Sequence, residues 1–280
     1  TVHYAKTDSI DAEGICNYLL DKRKKLFTYT PPSYQSLQLK SLYREMIKIN
    51  KLITQSKNRL SGIIHIVFPE FLSVYPKING KLVYSLLRDY PTPDFFKGRH
   101  LDTIYNYAYK EAKGHINKDD IEKLILYSKE SIGVYNHSDA LLIKQLSSLL
   151  IMIEYQKKEL IFEMVSIIKE HFPKILTIPG IGGNTAAGII GEIGEISNFH
   201  TADSLLAFAG LNPLVYESGK YCAKHTRISK KGSSYLRNAL TMVARTIIIN
   251  DNAFKQYYLK KREEGKSYNT AICHVRKKLV

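Results

Sequence analysis

Between residues 39 and 63, Leu39, Leu42, Met46, Ile49, Ile53, Ser56, Leu60 and Ile63 recur at alternating steps of three and four, all of them apolar but Ser56. That spacing keeps one side chain per turn on a single helical face, the pattern of a coiled-coil seam. Pro69 ends it. A second stripe runs through Leu142, Leu146, Leu149, Ile153, Gln156, Leu160, Glu163 and Ile167, and stops before Pro173. Each face has to be covered, and the simplest cover is the other arm. The pattern therefore predicts a long antiparallel helical hairpin, pairing again in a homo-oligomer. The polar Ser56, Gln156 and Glu163 would fix its register at some cost in stability.

The segments around the arms are shorter. Ile15, Leu19 and Leu20 follow a helical pattern, which the run Asp21-Lys22-Arg23-Lys24-Lys25 closes with cations suited to a helix C-terminus. Pro31 and Pro32 mark a boundary, with Thr30 or Ser33 available as the next N-cap. From Glu70 to Asn117 the chain is aromatic and rich in turn residues, with Pro76, Asn79-Gly80, Pro91-Thr92-Pro93 and Lys97-Gly98 as punctuation. Short helices are expected near Leu82–Arg88 and Asp102–Ala112, and Asn117 should cap another. The expected fold is mainly α in three parts. These are residues 1–30, the helical hairpin 31–172 with a tip subdomain at 70–117, and a compact helical block at 173–280.

Charge changes the picture. Forty-one Lys and Arg against 26 Asp and Glu leave +15, an excess that favours encounter with polyanions and puts nucleic acid first among partners. No apolar run approaches the roughly 18 to 20 residues of a membrane helix, so no membrane partner is expected. Cys16, Cys222 and Cys273 are odd in number and scattered, which points away from a disulfide framework and towards a reducing cytoplasm. Cys222-x-x-His225 and Cys273-His274 lack the two tightly spaced ligand pairs of a structural zinc site. The chain opens at Thr1, without Met, and is expected to be part of a longer reading frame.

Three stretches carry candidate chemistry. Leu176-Thr177-Ile178-Pro179-Gly180-Ile181-Gly182-Gly183-Asn184-Thr185 has the layout of a helix-hairpin-helix turn: an apolar helix end, a Pro-Gly-hydrophobic-Gly turn and a second helix start. Amide N–H groups at such a helix start suit a phosphate and position DNA without reading its sequence. Gly180, Gly182, Gly183 and Thr185 are the candidates; a packed glycine-rich turn is the competing reading. Next comes Val215-Tyr216-Glu217-Ser218-Gly219-Lys220, with Lys224, Arg227, Lys230, Lys231 and Arg237 downstream. These cations could neutralise a phosphodiester and its pentavalent transition state. A serine needs a base to attack, and Glu217 and His225 are both candidates. By composition alone the stretch reads as a DNA-gripping basic loop before it reads as a catalytic serine. Finally, Asp8 and Asp11 stand three apart, so on a helix they share a face and could share a divalent metal. Acidic residues also collect in first turns for capping alone, which is the simpler account of these two.

Taken in order, four blocks resemble the one-hundred-and-ten family of bacterial and archaeal insertion-sequence transposases. They are Lys6-Thr7-Asp8-Ser9-Ile10-Asp11-Ala12, Ile178-Pro179-Gly180-Ile181-Gly182 with Thr185-Ala186, Phe208-Ala209-Gly210-Leu211-Asn212-Pro213, and Ser218-Gly219-Lys220 followed by Arg227-Ile228-Ser229-Lys230-Lys231-Gly232 and Leu236-Arg237. The resemblance implies a RuvC-like nuclease domain binding magnesium through a DEDD acidic set, then the hairpin, then a serine transposase domain. It implies that Ser218 attacks DNA to form a phosphoserine intermediate, that Asp8 and Asp11 are the last two acids of the set, and that residues 1–30 are the end of the nuclease domain. It also implies oligomers with shared sites and a structured guide RNA, in the cytoplasm at the nucleoid. The first Asp and the Glu of the set are expected upstream of Thr1, so this chain should bind nucleic acid but lack a complete magnesium site and full recombinase activity. Two other readings stay open: a non-catalytic DNA-binding relic, and a repair or junction protein using the helix-hairpin-helix alone.

Overall fold

The computed structural model describes residues 7–23, 28–213 and 228–280, with the backbone of residues 217–218 and 221–222. Thirteen α-helices and one pair of two-residue strands lie among them, so the fold is mainly α. Helix α1 (Asp8–Lys22) starts at Thr7, whose side chain accepts from the Ile10 amide, and buries none of its residues. Ser33 caps α2 (Tyr34–Val67) by accepting from the Ser36 amide, directly after the Pro31–Pro32 break. The returning arm, α8 (His137–His171), starts in a capping box between Asn136 and Asp139. Pro69 and Pro173 stand just past the two helix ends, as their missing N–H groups require.

The arms run antiparallel. The second half of α2 (Ile53, Leu60, Ile64) packs with the first half of α8 (Ile143, Leu150, Ile153), and Leu39, Tyr43 and Met46 pack with Met164, Ile167 and Ile168. Lys57 crosses the seam to Glu154 at 3.2 Å. On α2 five of the eight expected stripe positions are buried, Ser56 included, while Leu42, Ile49 and Ile63 are half-buried and Tyr43 and Ile64 lie inside. On α8 the match is poorer. Gln156 and Glu163 are exposed and Leu149 is 38% exposed, while Ile143, Leu150 and Met164 lie inside. A straight helix drifts about 20° per heptad against a 3.5-residue repeat. In addition, α8 packs against α2 and α4 early and against α9 late, so its buried face turns along its length.

Between the arms lie α3 (Phe71–Val74), α4 (Lys81–Asp89), α5 (Pro93–Phe96), α6 (Leu101–Glu111) and α7 (Lys118–Lys129), the last capped by Asn117. Their Phe71, Tyr84, Leu86, Leu87, Phe96, Ile104, Ile121 and Leu124 share one core with the neighbouring halves of both arms. After a 3-10 turn at Pro173–Thr177 come α9 (Gly183–Ile193) and α10 (Ala202–Phe208). Strands β1 (Glu217–Ser218) and β2 (Tyr221–Cys222) follow, then α11 (Ser234–Asn250), α12 (Asn252–Glu263) and α13 (Tyr268–Leu279). Helix α9 is the hub: it packs on α2, α8 and α11. No helix among the described residues is long and apolar enough to cross a membrane.

Candidate functional site

The blocks Phe208–Pro213 and Ile228–Ser233, about twenty residues apart in sequence, form one unit. The Ser229 amide donates to the Asn212 carbonyl at 2.8 Å, Lys230 to Gly210 at 3.1 Å and Ser233 to Phe208 at 3.3 Å, and Pro213 forms an antiparallel bridge with Ile228. The two segments cross too closely for side chains. A Cβ on Gly232, whose φ is +114°, would enter the Phe208 carbonyl, and one on Gly210 would enter that of Lys231. The Arg237 guanidinium donates to the carbonyls of Ala209 (3.0 Å) and Gly232 (3.2 Å), so this candidate contact residue also clamps the crossing.

The crossing is the foot of the excursion that carries Ser218. Within it, β1 and β2 pair antiparallel, Glu217 with Cys222 and Ser218 with Tyr221. The backbone at Ser218 is thus strand within the stretch read as a basic loop. The Ser218 side chain, and Lys220, Lys224, Arg227 and the candidate base His225, lie outside the described residues, as does the Glu217 side chain. Lys230 and Lys231 are exposed on the crossing, and Lys230 takes a left-handed φ of +54°.

The glycine-rich turn lies elsewhere. Gly180 has φ +82° and packs on the far part of α11, where the Thr246 hydroxyl donates to its carbonyl at 2.7 Å. A Cβ on Gly183 would strike Val165 of α8 at 2.5 Å, whereas one on Gly182 would meet nothing within 4 Å. Thr185 turns its hydroxyl back onto Gly182, accepting from its amide at 3.1 Å and donating to its carbonyl at 2.9 Å. Ser233 and Thr246 are at opposite ends of α11, so the basic crossing and the glycine turn are about 20 Å apart along it at 1.5 Å per residue. Two candidate phosphate contacts are therefore held rigidly by one helix but not brought together.

Asp8 and Asp11 sit in the first turn of α1, both exposed. Among the described residues no group of three or more His, Cys, Asp or Glu side chains could hold a metal ion. The pair can offer two carboxylate positions of the oxygen set that magnesium prefers.

A further cluster joins the arms to the crossing. Glu192, in the last turn of α9, has a side chain 1% exposed; it accepts from Arg44 Nε at 2.6 Å and Nη2 at 3.0 Å, and from the Ser233 hydroxyl at 2.6 Å. Ser233 also caps α11, accepting from the Leu236 amide at 3.1 Å. The Arg44 guanidinium lies 4.8 Å from the centre of the Tyr235 ring. Burial pushes the Glu192 carboxyl up, but the bonds from Arg44 and Ser233 and the Arg44 charge outweigh it and hold the group below the usual glutamate range. The stability this gives is present above the ordinary glutamate value and is lost as pH falls through the lowered one. Arg44 and Glu192 are 148 residues apart, and nothing local pairs them. The available hint was a lone acid near the end of the apolar, small-residue helix Ala186–Ile193.

Two family models match the chain. One, described as Transposase IS116/IS110/IS902 family, covers residues 173–259. The other, a DEDD transposase model of the IS110 type, covers residues 1–69, through α1 and α2. The chain is 25% identical over 228 residues to the insertion element IS110 uncharacterized 43.6 kDa protein of Streptomyces coelicolor, covering 78% of this chain and 55% of that protein. It is 27% identical over 232 residues to the pilin gene-inverting protein of Moraxella bovis, covering 78% and 70% respectively. To the transposase for insertion sequence element IS1111A of Coxiella burnetii it is 33% identical over 110 residues, or 38% of this chain and 30% of that one. The chain thus spans about half the length of the Streptomyces relative.

Proposed function

The chain belongs to the IS116/IS110/IS902 family of transposases, and from that membership we propose that it is the helical and serine-bearing part of a DNA recombinase that cuts and rejoins DNA through Ser218. The observation that carries the reading is the backbone-bonded crossing of Phe208–Pro213 with Ile228–Ser233, which anchors the strand bearing Ser218 and presents Lys230 and Lys231 beside its foot. In the proposed step the Ser218 Oγ–P bond forms as one P–O bond to a deoxyribose breaks. The serine proton goes to a base, Glu217 or His225, and the departing sugar oxygen takes up a proton. Lys230 and Lys231, with Lys220, Lys224 and Arg227, would offset the charge that grows on the phosphate.

In this reading residues 1–30 end a nuclease domain, 31–172 form the hairpin with its tip at 70–117, and 173–280 form the serine domain. Asp8 and Asp11 would hold a divalent ion, magnesium, together with ligands not among the described residues; it would supply Lewis-acid polarisation of a phosphate oxygen. The Gly183 amide would make a second phosphate contact beside Gly180, next to Gly182 and Thr185, the Gly182 amide being taken up by the Thr185 hydroxyl. The exposed Leu149, Met152, Tyr155 and Phe162 on α8 suit pairing of two hairpins in a homo-oligomer. A structured guide RNA would be a second polyanion for the +15 charge, in the cytoplasm at the nucleoid.

Two measurements test this. With the full reading frame and a nicked DNA substrate, a covalent protein–DNA adduct is expected on denaturing gels, and Ser218→Ala should reduce it at least about a thousandfold. Persistence of the adduct in that variant would place the nucleophile elsewhere; no adduct from the unchanged protein would favour a DNA-binding relic. Affinity for duplex DNA should fall steeply with salt. Lys230→Ala with Lys231→Ala should flatten the log–log slope by about 2, the weight of two released counterions. A salt-independent affinity would exclude a phosphate-dominated contact.

A further inference from the structure

Glu192 is an odd residue to find buried. Removing a carboxylate from water is costly, and a buried ion pair usually stabilises no more than well-packed apolar residues of the same volume would. What such a pair can provide is one fixed geometry. Here the two parallel bonds from Arg44 fix the carboxylate plane, and a third bond goes to Ser233. Those groups come from three places: Arg44 from the hairpin arm α2, Glu192 from α9, and Ser233 from the residue directly after the Lys230–Gly232 turn. Arg44 falls in the block matched by the DEDD model, whereas Glu192 and Ser233 fall in the block matched by the serine-domain model. One carboxylate therefore joins the two blocks.

The turn has few other anchors. Its backbone is tied to Gly210 and Phe208, and its last carbonyl to Arg237. All of these belong to the serine block, so none relates the turn to the hairpin. Two contacts beside the turn do: Glu192 through Ser233, and the Tyr235 ring under Arg44; Asn238 to Tyr43, at 3.4 Å, lies a turn farther along α11. Of these, Glu192 is the one bonded to the residue that closes the turn.

We propose that Glu192 is a positioning residue: it carries the seating of hairpin helix α2, sensed through Arg44, to the basic turn Lys230–Lys231 through Ser233, so that the grip on DNA phosphate depends on the arm being in place. This rests on the reading of that turn as a DNA contact. Linkage makes the dependence mutual, and DNA held at the turn stabilises the Arg44–Glu192 contact in return.

The test separates capping from positioning. Ser233→Asp keeps a good N-cap for α11 but sets a second carboxylate against Glu192. Adding Glu192→Gln gives the introduced carboxylate a donor while leaving an acceptor for Arg44. The readouts are affinity for a labelled random-sequence duplex at fixed moderate salt, and hydrogen exchange of residues 228–236 compared with α2 and α8. For Ser233→Asp the affinity should fall about tenfold, the weight of one charge-assisted hydrogen bond, with faster exchange confined to 228–236. The double variant should return both to within about twofold of the unchanged protein. Unchanged affinity and exchange in Ser233→Asp would overturn the proposal. So would a double variant that keeps the original thermal midpoint yet does not recover. If Ser233→Asp does not fold, Glu192→Gln alone, which keeps the shape and loses the charge, carries the same expectation. Should Lys230→Ala with Lys231→Ala leave duplex affinity untouched, the DNA reading of the turn fails, and the exchange pattern still decides whether Glu192 positions it.

Discussion

Gly232→Ala should unlock the crossing and with it the start of α11, lowering stability by about 3 kcal/mol. Two costs combine. The φ of +114° lies where side-chain-bearing residues are strained, and the added methyl would lie inside the Phe208 carbonyl. Neither can be relieved locally, because the Ser233–Phe208 and Lys230–Gly210 backbone bonds hold the two segments together. A thermal midpoint lower by roughly 6–12 °C is expected, together with loss of the Ser218 adduct, since the foot of its strand moves. Gly182→Ala is the matched control. It has a negative φ and open space around its Cβ, and should stay within about 0.5 kcal/mol of the unchanged protein. Equal melting of the two variants would mean that the close approach at Gly232 is not what holds the crossing.

Gly191→Ala should have a comparable effect for a different reason. Helix α9 lies so close on α2 that a Cβ at residue 191 would stand 2.5 Å from the Lys40 amide nitrogen and 2.7 Å from its Cα. These are main-chain atoms of a long, well-packed helix, so α9 must move instead. One turn away a Cβ on Gly188 would stand 2.6 Å from the Tyr43 ring, so the ring lies close there too and leaves little room for that movement. Overpacking of this kind costs about 2–3 kcal/mol. It also pushes Glu192, the next residue, away from Arg44. Calorimetry should show the loss, and hydrogen exchange should locate it where α9 meets α2. Gly62→Ala gives the opposite sign. It sits on the exposed face of α2 with nothing within 4 Å, and should raise stability by about 0.5–1 kcal/mol through helix propensity.

How much of this was legible before the fold depended on the range of the interaction. The start of α2 and the ends of both arms were, because Pro31, Pro32, Pro69 and Pro173 forbid helix at short range and Ser33 caps locally, whereas the Asn136 cap that starts α8 was not singled out. Most of the α2 seam was legible too, since its buried face meets α8 along both halves, with α9 added only near its start. The α8 seam slipped further because α8 packs on α2 and α4 in its first half and on α2 and α9 in its second, and a fixed heptad cannot follow a changing set of neighbours. At the candidate site, the blocks around Gly210 and Gly232 could be picked out as chemistry. That each glycine makes room for the other's backbone could not, because the reason lies across the crossing. The β1–β2 pair is only two residues a side, too short to show alternation. Nothing local pairs Arg44 with Glu192, and only packing of α9 against α2 buries the Glu192 carboxylate beneath a half-exposed Arg44.

The placing of the two candidate contacts at opposite ends of α11 sets a ruler against DNA. Base pairs repeat every 3.4 Å along the duplex axis, so about 20 Å corresponds to roughly six of them, a little over half a helical turn. A duplex lying along α11 and held at both ends would be gripped on phosphates that face different sides of the axis. It could then neither roll nor slide without releasing one grip. Were both proposed contacts to hold DNA, α11 would be a rigid gauge that sets the rotational position of the duplex relative to the strand carrying Ser218.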